Sequence, residues 1–187
     1  MYTYFTDRLI LKKIKIEDAK ELDKLMNDDL IAANNYNIPY PYKEGYALEW
    51  IKKGMLAIES NELRRWKIEC LATSQLLGII EYRISLEHNR GDIGYWIGRE
   101  YRGNKYCTEA LTKVIDIGYN QFNLIRIEAF CFSDNIVSKH IIKKLGFVYE
   151  GTLRKDSKIM GEYKDTDIYS MLREEYLQRM LGRDDCV

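Results

Sequence analysis

Two apolar spacings alternate along the chain. Arg8-Leu-Ile-Leu-Lys-Lys-Ile14 predicts a first strand, and Ala19, Leu22, Leu25 and Met26 recur at helical spacing within residues 17–27. A second helix is predicted over residues 43–60, after an extended loop marked by Ile38-Pro-Tyr-Pro-Tyr42. Strand-like runs follow at 65–71, 76–86 and 92–97. Thr73-Ser-Gln75 and His88-Asn-Arg-Gly91 supply turn chemistry between them, so an antiparallel meander is expected.

The pattern then changes to helix, strand, helix, strand. Tyr106, Ala110, Leu111, Val114, Ile115 and Gly118 give residues 104–122 the spacing of a half-buried helix. Residues 124–130 read as a strand, and Ser133-Asp-Asn135 as the cap of a helix that runs to Leu145 and stops at Gly146. Residues 147–153 and 167–173 are the last predicted strands. A strand-helix-strand unit joined to a meander implies an α+β fold with a mixed sheet and helices on its faces. With no Gly/Ser linker or repeat, residues 1–187 are expected to form a single domain.

Composition narrows the function classes. Twenty-nine basic residues balance twenty-nine acidic ones, which argues against a protein that coats nucleic acid or an anionic membrane. No apolar run reaches the roughly 20 residues of a membrane span, and the amino end lacks a secretory layout, so a cytoplasmic location is expected. Cys70, Cys107, Cys131 and Cys186 lack metal-knuckle spacing and are expected to be reduced. Two histidines, His88 and His140, leave little from which to build a metal site or a Ser/His/Asp triad; no metal is expected. Charge is nevertheless uneven. Residues 17–62 hold ten acidic residues against five lysines, whereas 102–146 hold seven basic against four acidic. Either these are two solvated surfaces, or an anionic ligand sits on the later half and a cationic one beneath the earlier helices.

The stretch from Asp92 to Ala110 bears most on chemistry. A strand ends near Gly98, a polar turn centred on Gly103 follows, and a helix begins at once. First-turn amides lack internal partners and lie at the positive end of the helix dipole, so such a turn is either an anion cradle or an ordinary connection. It has neither the dinucleotide nor the Walker glycine spacing.

Seven pieces in register resemble the GNAT superfamily of N-acetyltransferases, in its RimJ/RimL-type branch of ribosomal-protein N-terminal acetyltransferases. They are Thr6-Asp-Arg-Leu-Ile-Leu11, Ile93-Gly-Tyr-Trp-Ile97, Tyr101-Arg-Gly-Asn-Lys-Tyr-Cys-Thr-Glu-Ala110, Arg126-Ile-Glu-Ala129, Asn135-Ile-Val-Ser138, Lys144-Leu-Gly-Phe147 and Tyr169-Ser-Met-Leu172. The resemblance implies a mostly antiparallel sheet of six to seven strands with a central splayed parallel pair and about four helices. It implies acetyl-CoA as co-substrate, with pantetheine between the strands at 92–97 and 125–131. Pantetheine contacts fall on the main chain of Trp96, Ile97 and Gly98. Pyrophosphate contacts fall on the amides of Arg102, Gly103, Asn104, Lys105, Tyr106, Cys107 and Thr108. Asn135 matches a cofactor-reaching side chain, beside its alternative role as helix cap. Gly94 fits a strand that bulges or is closely approached.

The same resemblance assigns chemistry. Ser138 matches the branch's general acid, against a helix-face hydroxyl bonded to the preceding turn, while Ile142 stands where many relatives carry tyrosine. Asp92 matches an acidic position for the general base, against an exposed structural carboxylate, with Glu81, His88 and a water chain to bulk as rivals. The partner implied is a primary amine, on a protein N-terminus, a polyamine or an aminoglycoside; a homodimer is expected by analogy. A catalytically weak CoA-binding module is the competing class. Lys105 replaces a usual glycine or alanine, and Cys107 a usual alanine: either packing or a reactive thiol at a helix start.

Overall fold

The computed structural model describes residues 3–59 and 62–184. Its strands are β1 (Tyr4–Phe5), β2 (Leu9–Lys13), β3 (Leu63–Cys70), β4 (Leu76–Ser85), β5 (Arg90–Ile97), β6 (Arg126–Phe132), β7 (Val148–Ile159) and β8 (Glu162–Leu172). Its helices are α1 (Ala19–Met26), α2 (Asp29–Ala33), α3 (Tyr46–Glu59), α4 (Tyr106–Asn120), α5 (Ile136–Leu145) and α6 (Arg173–Asp184). One eight-stranded sheet runs in the order β1-β2-β3-β4-β5-β6-β8-β7, and β5–β6 is its parallel pair.

The α+β architecture and the meander at β3–β4–β5 match the sequence expectation; the counts do not. The eighth strand is the two-residue β1, too short to show a period. The extra helices are α2, a single turn and a half, and α6, which is largely exposed although Tyr176, Leu177, Met180 and Leu181 recur at helical spacing. The last hairpin is longer than predicted because β7 is mostly solvent-facing. The predicted end of the second helix at Ser60, and Cys186, lie outside the described residues.

Two cores sandwich the sheet. On one face α4 buries Ala110, Leu111, Val114 and Ile117 against Tyr82, Ile93 and Ile127. Gly118 makes this approach close: a Cβ there would sit 2.8 Å from the Tyr82 hydroxyl, which donates to the Val114 carbonyl at 3.0 Å. On the other face α1, α2 and α3 bury Leu22, Met26, Ile31 and Ile51 against Ile79 and Trp96. Because side chains alternate along a strand, β5 shows Ile93, Tyr95 and Ile97 to the first core and Asp92, Gly94 and Trp96 to the second. Gly94 marks neither a bulge nor a close approach: the β4–β5 register runs unbroken through it, and a Cβ would meet Glu81 at 3.4 Å, ordinary contact.

Candidate active site

β5 and β6 pair only at Arg90–Arg126, Gly91–Ile127 and Asp92–Glu128. Beyond that point β5 stays in register with β4, and β6 with β8, so the two strands part while each remains held on its outer side. A cavity of about 1260 Å³ occupies the opening and reaches from the loop before α4 to the mouth formed by residues 30–38. The Gly98 amide donates to Leu77 at 2.8 Å. Antiparallel alternation then engages Trp96 and Gly98 with β4 and turns the main chains of Tyr95 and Ile97 toward the cleft. Of the three expected main-chain positions, Ile97 therefore faces the opening, and Tyr95 joins it.

The loop at 99–105 builds the second wall. Gly103 has φ +80° and Lys105 φ +63°, so the chain turns left-handed twice before α4. The first helical bond runs from the Glu109 amide to the Lys105 carbonyl, which leaves the amides of Tyr106, Cys107 and Thr108 without helix partners. Arg102 differs from its neighbours in the predicted cradle. Its amide donates to Arg99, its Nε to the Ile97 carbonyl at 3.0 Å, and its Nη2 to Asp28 at 2.6 Å. The Asn104 side chain braces the turn, its Nδ2 donating to the Tyr101 and Arg102 carbonyls. Lys105 carries its αL strain as an exposed side chain. Burial pushes the Cys107 thiol up to about 12, so it packs rather than reacts.

On the α4 face, Asn135 caps α5 by accepting the Ser138 amide at 3.0 Å, which leaves its side-chain nitrogen on the cavity wall. The Ser138 hydroxyl does not bond the preceding turn. It lies 2.6 Å from the Tyr95 hydroxyl, a partner the sequence reading missed although Tyr95 shares a strand face with Ile97. Burial holds the Tyr95 phenol far above its ordinary range, so this pair stays neutral. Ile142 is buried in the core at 2% exposure.

The opposite face is ionic. Both bonds from Arg83 to Asp92, each 2.8 Å, fall on Oδ2, while Oδ1 is buried without a partner among the described residues. Burial raises the Asp92 carboxyl above the usual range, and Arg83 opposes it only in part. Glu81 is held by Arg65 at 2.6 Å, and that guanidinium lies 3.5 Å over the Trp50 ring. His88 sits exposed in the β4–β5 turn, off the cavity wall. Among the ten acidic residues at 17–62, Asp18 pairs with Lys67, Asp23 accepts from Tyr42 and two amides, and Asp28 pairs with Arg102 and Arg99. Among the described residues no group of three metal-ligating side chains converges.

Comparison with known proteins agrees with this geometry. The model of the acetyltransferase (GNAT) domain matches residues 8–148. N-acetyltransferase p20 of Bacillus licheniformis is 32% identical over 94% of this chain and 99% of its own length. The spermidine N(1)-acetyltransferase of Escherichia coli K12 is 26% identical over 89% of this chain and 87% of its own. The structure of the ribosomal-protein α-N-acetyltransferase RimL in complex with coenzyme A superposes with a TM-score of 0.81 at 17% identity, covering 89% of this chain and 95% of that one. On the match of the domain model and the identity to p20, the chain belongs to the GNAT family of N-acetyltransferases.

Proposed function

We propose that the chain acetylates an α-amine, such as a protein N-terminus, by direct attack of the amine on acetyl-CoA while both are bound. The observation that carries this reading is the early end of the β5–β6 ladder at Asp92 and Glu128, which opens a cleft between two chemically different walls. The unpartnered amides of Tyr106, Cys107 and Thr108, with Gly103 and Lys105 in the turn before them, fit a pyrophosphate at a helix start. Acetyl-CoA, when bound, supplies the activated acetyl thioester.

The protein's own groups divide the rest of the work. Cleft-facing amides of Tyr95 and Ile97 are placed to donate to a carbonyl and to the charge that develops on it. Oδ1 of Asp92 is the free acceptor for the amine proton, directly or through one water. The Tyr95–Ser138 hydroxyl pair offers a hydrogen bond on the other side of the cleft, where a thiol of ordinary pKa near 8.5 needs only modest help to leave.

Charge balance supports a single-amine acceptor over a polyamine. The carboxylates on the β4–β5 side of the cavity, Glu81 and Asp92, are each matched by an arginine, Arg65 and Arg83. An α-amine, near pKa 8, also deprotonates far more readily than a lysine near 10.4. The 26% identity to a spermidine acetyltransferase keeps a small amine as the second reading. Mass spectrometry of acetyl-CoA reactions with free-N-terminal peptides and with spermidine decides between them. Peptide α-acetylation is the expected result; acetylated spermidine alone overturns the acceptor assignment, and tight acetyl-CoA binding with no transfer to either leaves a binding module.

A further inference from the structure

Asp28 sits between α1 and α2, 74 residues before the arginine it binds most closely, and is 6% exposed. Its carboxylate has three partners. Oδ1 accepts the Leu30 amide at 2.8 Å and so caps α2; Oδ2 accepts Arg102 Nη2 at 2.6 Å; Arg99 Nη2 lies 3.4 Å from Oδ1. Arg102 carries the connection onward, because its Nε donates to the Ile97 carbonyl at 3.0 Å. One side-chain chain therefore joins the start of α2, the loop that precedes α4 and the cleft edge of β5.

Both ends of this chain border the cavity. α2 contributes Leu30 and Ile31 to its mouth, while its inner side packs Ile31 and Ala32 with Trp96 of β5. Arg102 lies directly before the left-handed turn at Gly103 and Lys105. Its bond to Ile97 also satisfies a cleft-facing carbonyl, so that the Ile97 edge presents its amide without an orphaned acceptor beside it. Burial alone would raise the Asp28 carboxyl, but the Leu30 amide and the two arginines outweigh burial and lower it, so the group stays charged.

We infer that Asp28 is a positioning residue that couples the acetyl-CoA loop at 103–108 to the acceptor mouth at 30–38, through Arg102. The inference rests on the acetyl-CoA reading given above. Ligand held by the loop fixes Arg102, Arg102 fixes Asp28, and Asp28 fixes the first turn of α2; by linkage, an ordered mouth favours the loaded loop equally. Asp28→Asn separates this role from helix capping, because asparagine caps as well as aspartate but carries no charge for the arginines.

Hydrogen exchange of the full chain, with and without acetyl-CoA, tests the coupling. In the wild type, acetyl-CoA is expected to slow exchange at 103–108 and also at 30–34. At saturating acetyl-CoA, Asp28→Asn keeps the first protection and loses most of the second, and its acetyl-CoA Kd rises about fivefold or more, the lower range of ordinary site-to-site coupling. Arg102→Gln breaks the same chain from its other end with the α2 cap intact, and serves if Asp28→Asn does not fold. Protection at 103–108 without protection at 30–34 in the wild type overturns the coupling alone, as does wild-type protection of both segments in the variants. No protection at 103–108 in the wild type removes the acetyl-CoA reading, and the coupling falls with it.

Discussion

The two faces of β5 differ in the kind of proton they can handle. Toward α1–α3 the strand shows a carboxylate, Asp92, in an ionic setting with Arg83, Glu81 and Arg65. Toward α4 and α5 it shows Tyr95, paired with Ser138 near two thiols that burial keeps protonated, Cys107 and Cys131. A period-two strand thus places a proton acceptor and a neutral hydroxyl pair on its opposite faces, three residues apart. The parting of β6 lets both reach one cavity. Environments that push titratable groups apart are a mark of acid–base assignment, and here the sheet itself divides them.

The largest expected effect comes from removing the accepting side. Asp92→Asn should lower kcat/KM by about 10²-fold or more, the range of a positioned base. The sign of the pH effect follows from the raised carboxyl. A base works when deprotonated, so wild-type activity should fall as pH drops through a value above the ordinary 3.8, and that limb should vanish in the variant. An unchanged pH–rate profile would move the base elsewhere. Next is the buried pair beneath it: Arg65→Met takes away the 2.6 Å partner of Glu81, leaves it only Arg83 at 3.5 Å, and should cost about 3 kcal/mol, read as a fall in Tm of roughly 6–12 °C. A loss under 1 kcal/mol would mean that the ionic face is solvated.

The hydroxyl face should respond less. Tyr95→Phe or Ser138→Ala is expected to reduce kcat by about tenfold with little change in KM for acetyl-CoA, since a thiol leaves with modest assistance. A pure KM effect would make the pair a binding contact. Asp167 sharpens the comparison from beneath this face. Burial would raise its carboxyl, but bonds from Lys139, Ser133 and Thr152 outweigh burial and bring it to about 2, which fixes both flanks of the Asn135 cap. A depressed carboxyl contributes stability above its unfolded value of 3.8 and loses it toward pH 2; Asp167→Asn should remove about 2 kcal/mol at neutral pH and flatten that part of the acid-unfolding curve. The smallest effect is at Lys105, where φ +63° strains a side-chain-bearing residue. Lys105→Gly should gain up to about 1 kcal/mol of stability, and any loss of acetyl-CoA affinity measures the lysine charge.

Residue spacing made the local devices legible. The Asn135 cap, the Gly146 stop with φ +98° and the α4 stripe all follow from short-range pattern. The parted strands came from family resemblance, because no period in Ile93–Ile97 or Ala129–Phe132 announces where a ladder ends. Tyr95 was readable in principle by strand alternation, yet a strand tyrosine usually signals packing. Long-range ion pairs were not readable: Asp28 and Arg102, or Arg83 and Asp92 across a turn, meet only after the sheet forms. The same holds for Asp18, Asp23 and Asp28 in the acidic 17–62 region, whose internal partners lie elsewhere in the sequence.

The most direct measurement follows backbone amide chemical shifts during titration with acetyl-CoA. An open β5–β6 cleft that holds this ligand predicts saturable binding, with the largest shifts at Tyr95, Ile97 and residues 103–108. No saturable binding, or shifts confined to the smaller groove lined by Phe5, Met171 and Met180, would contradict it.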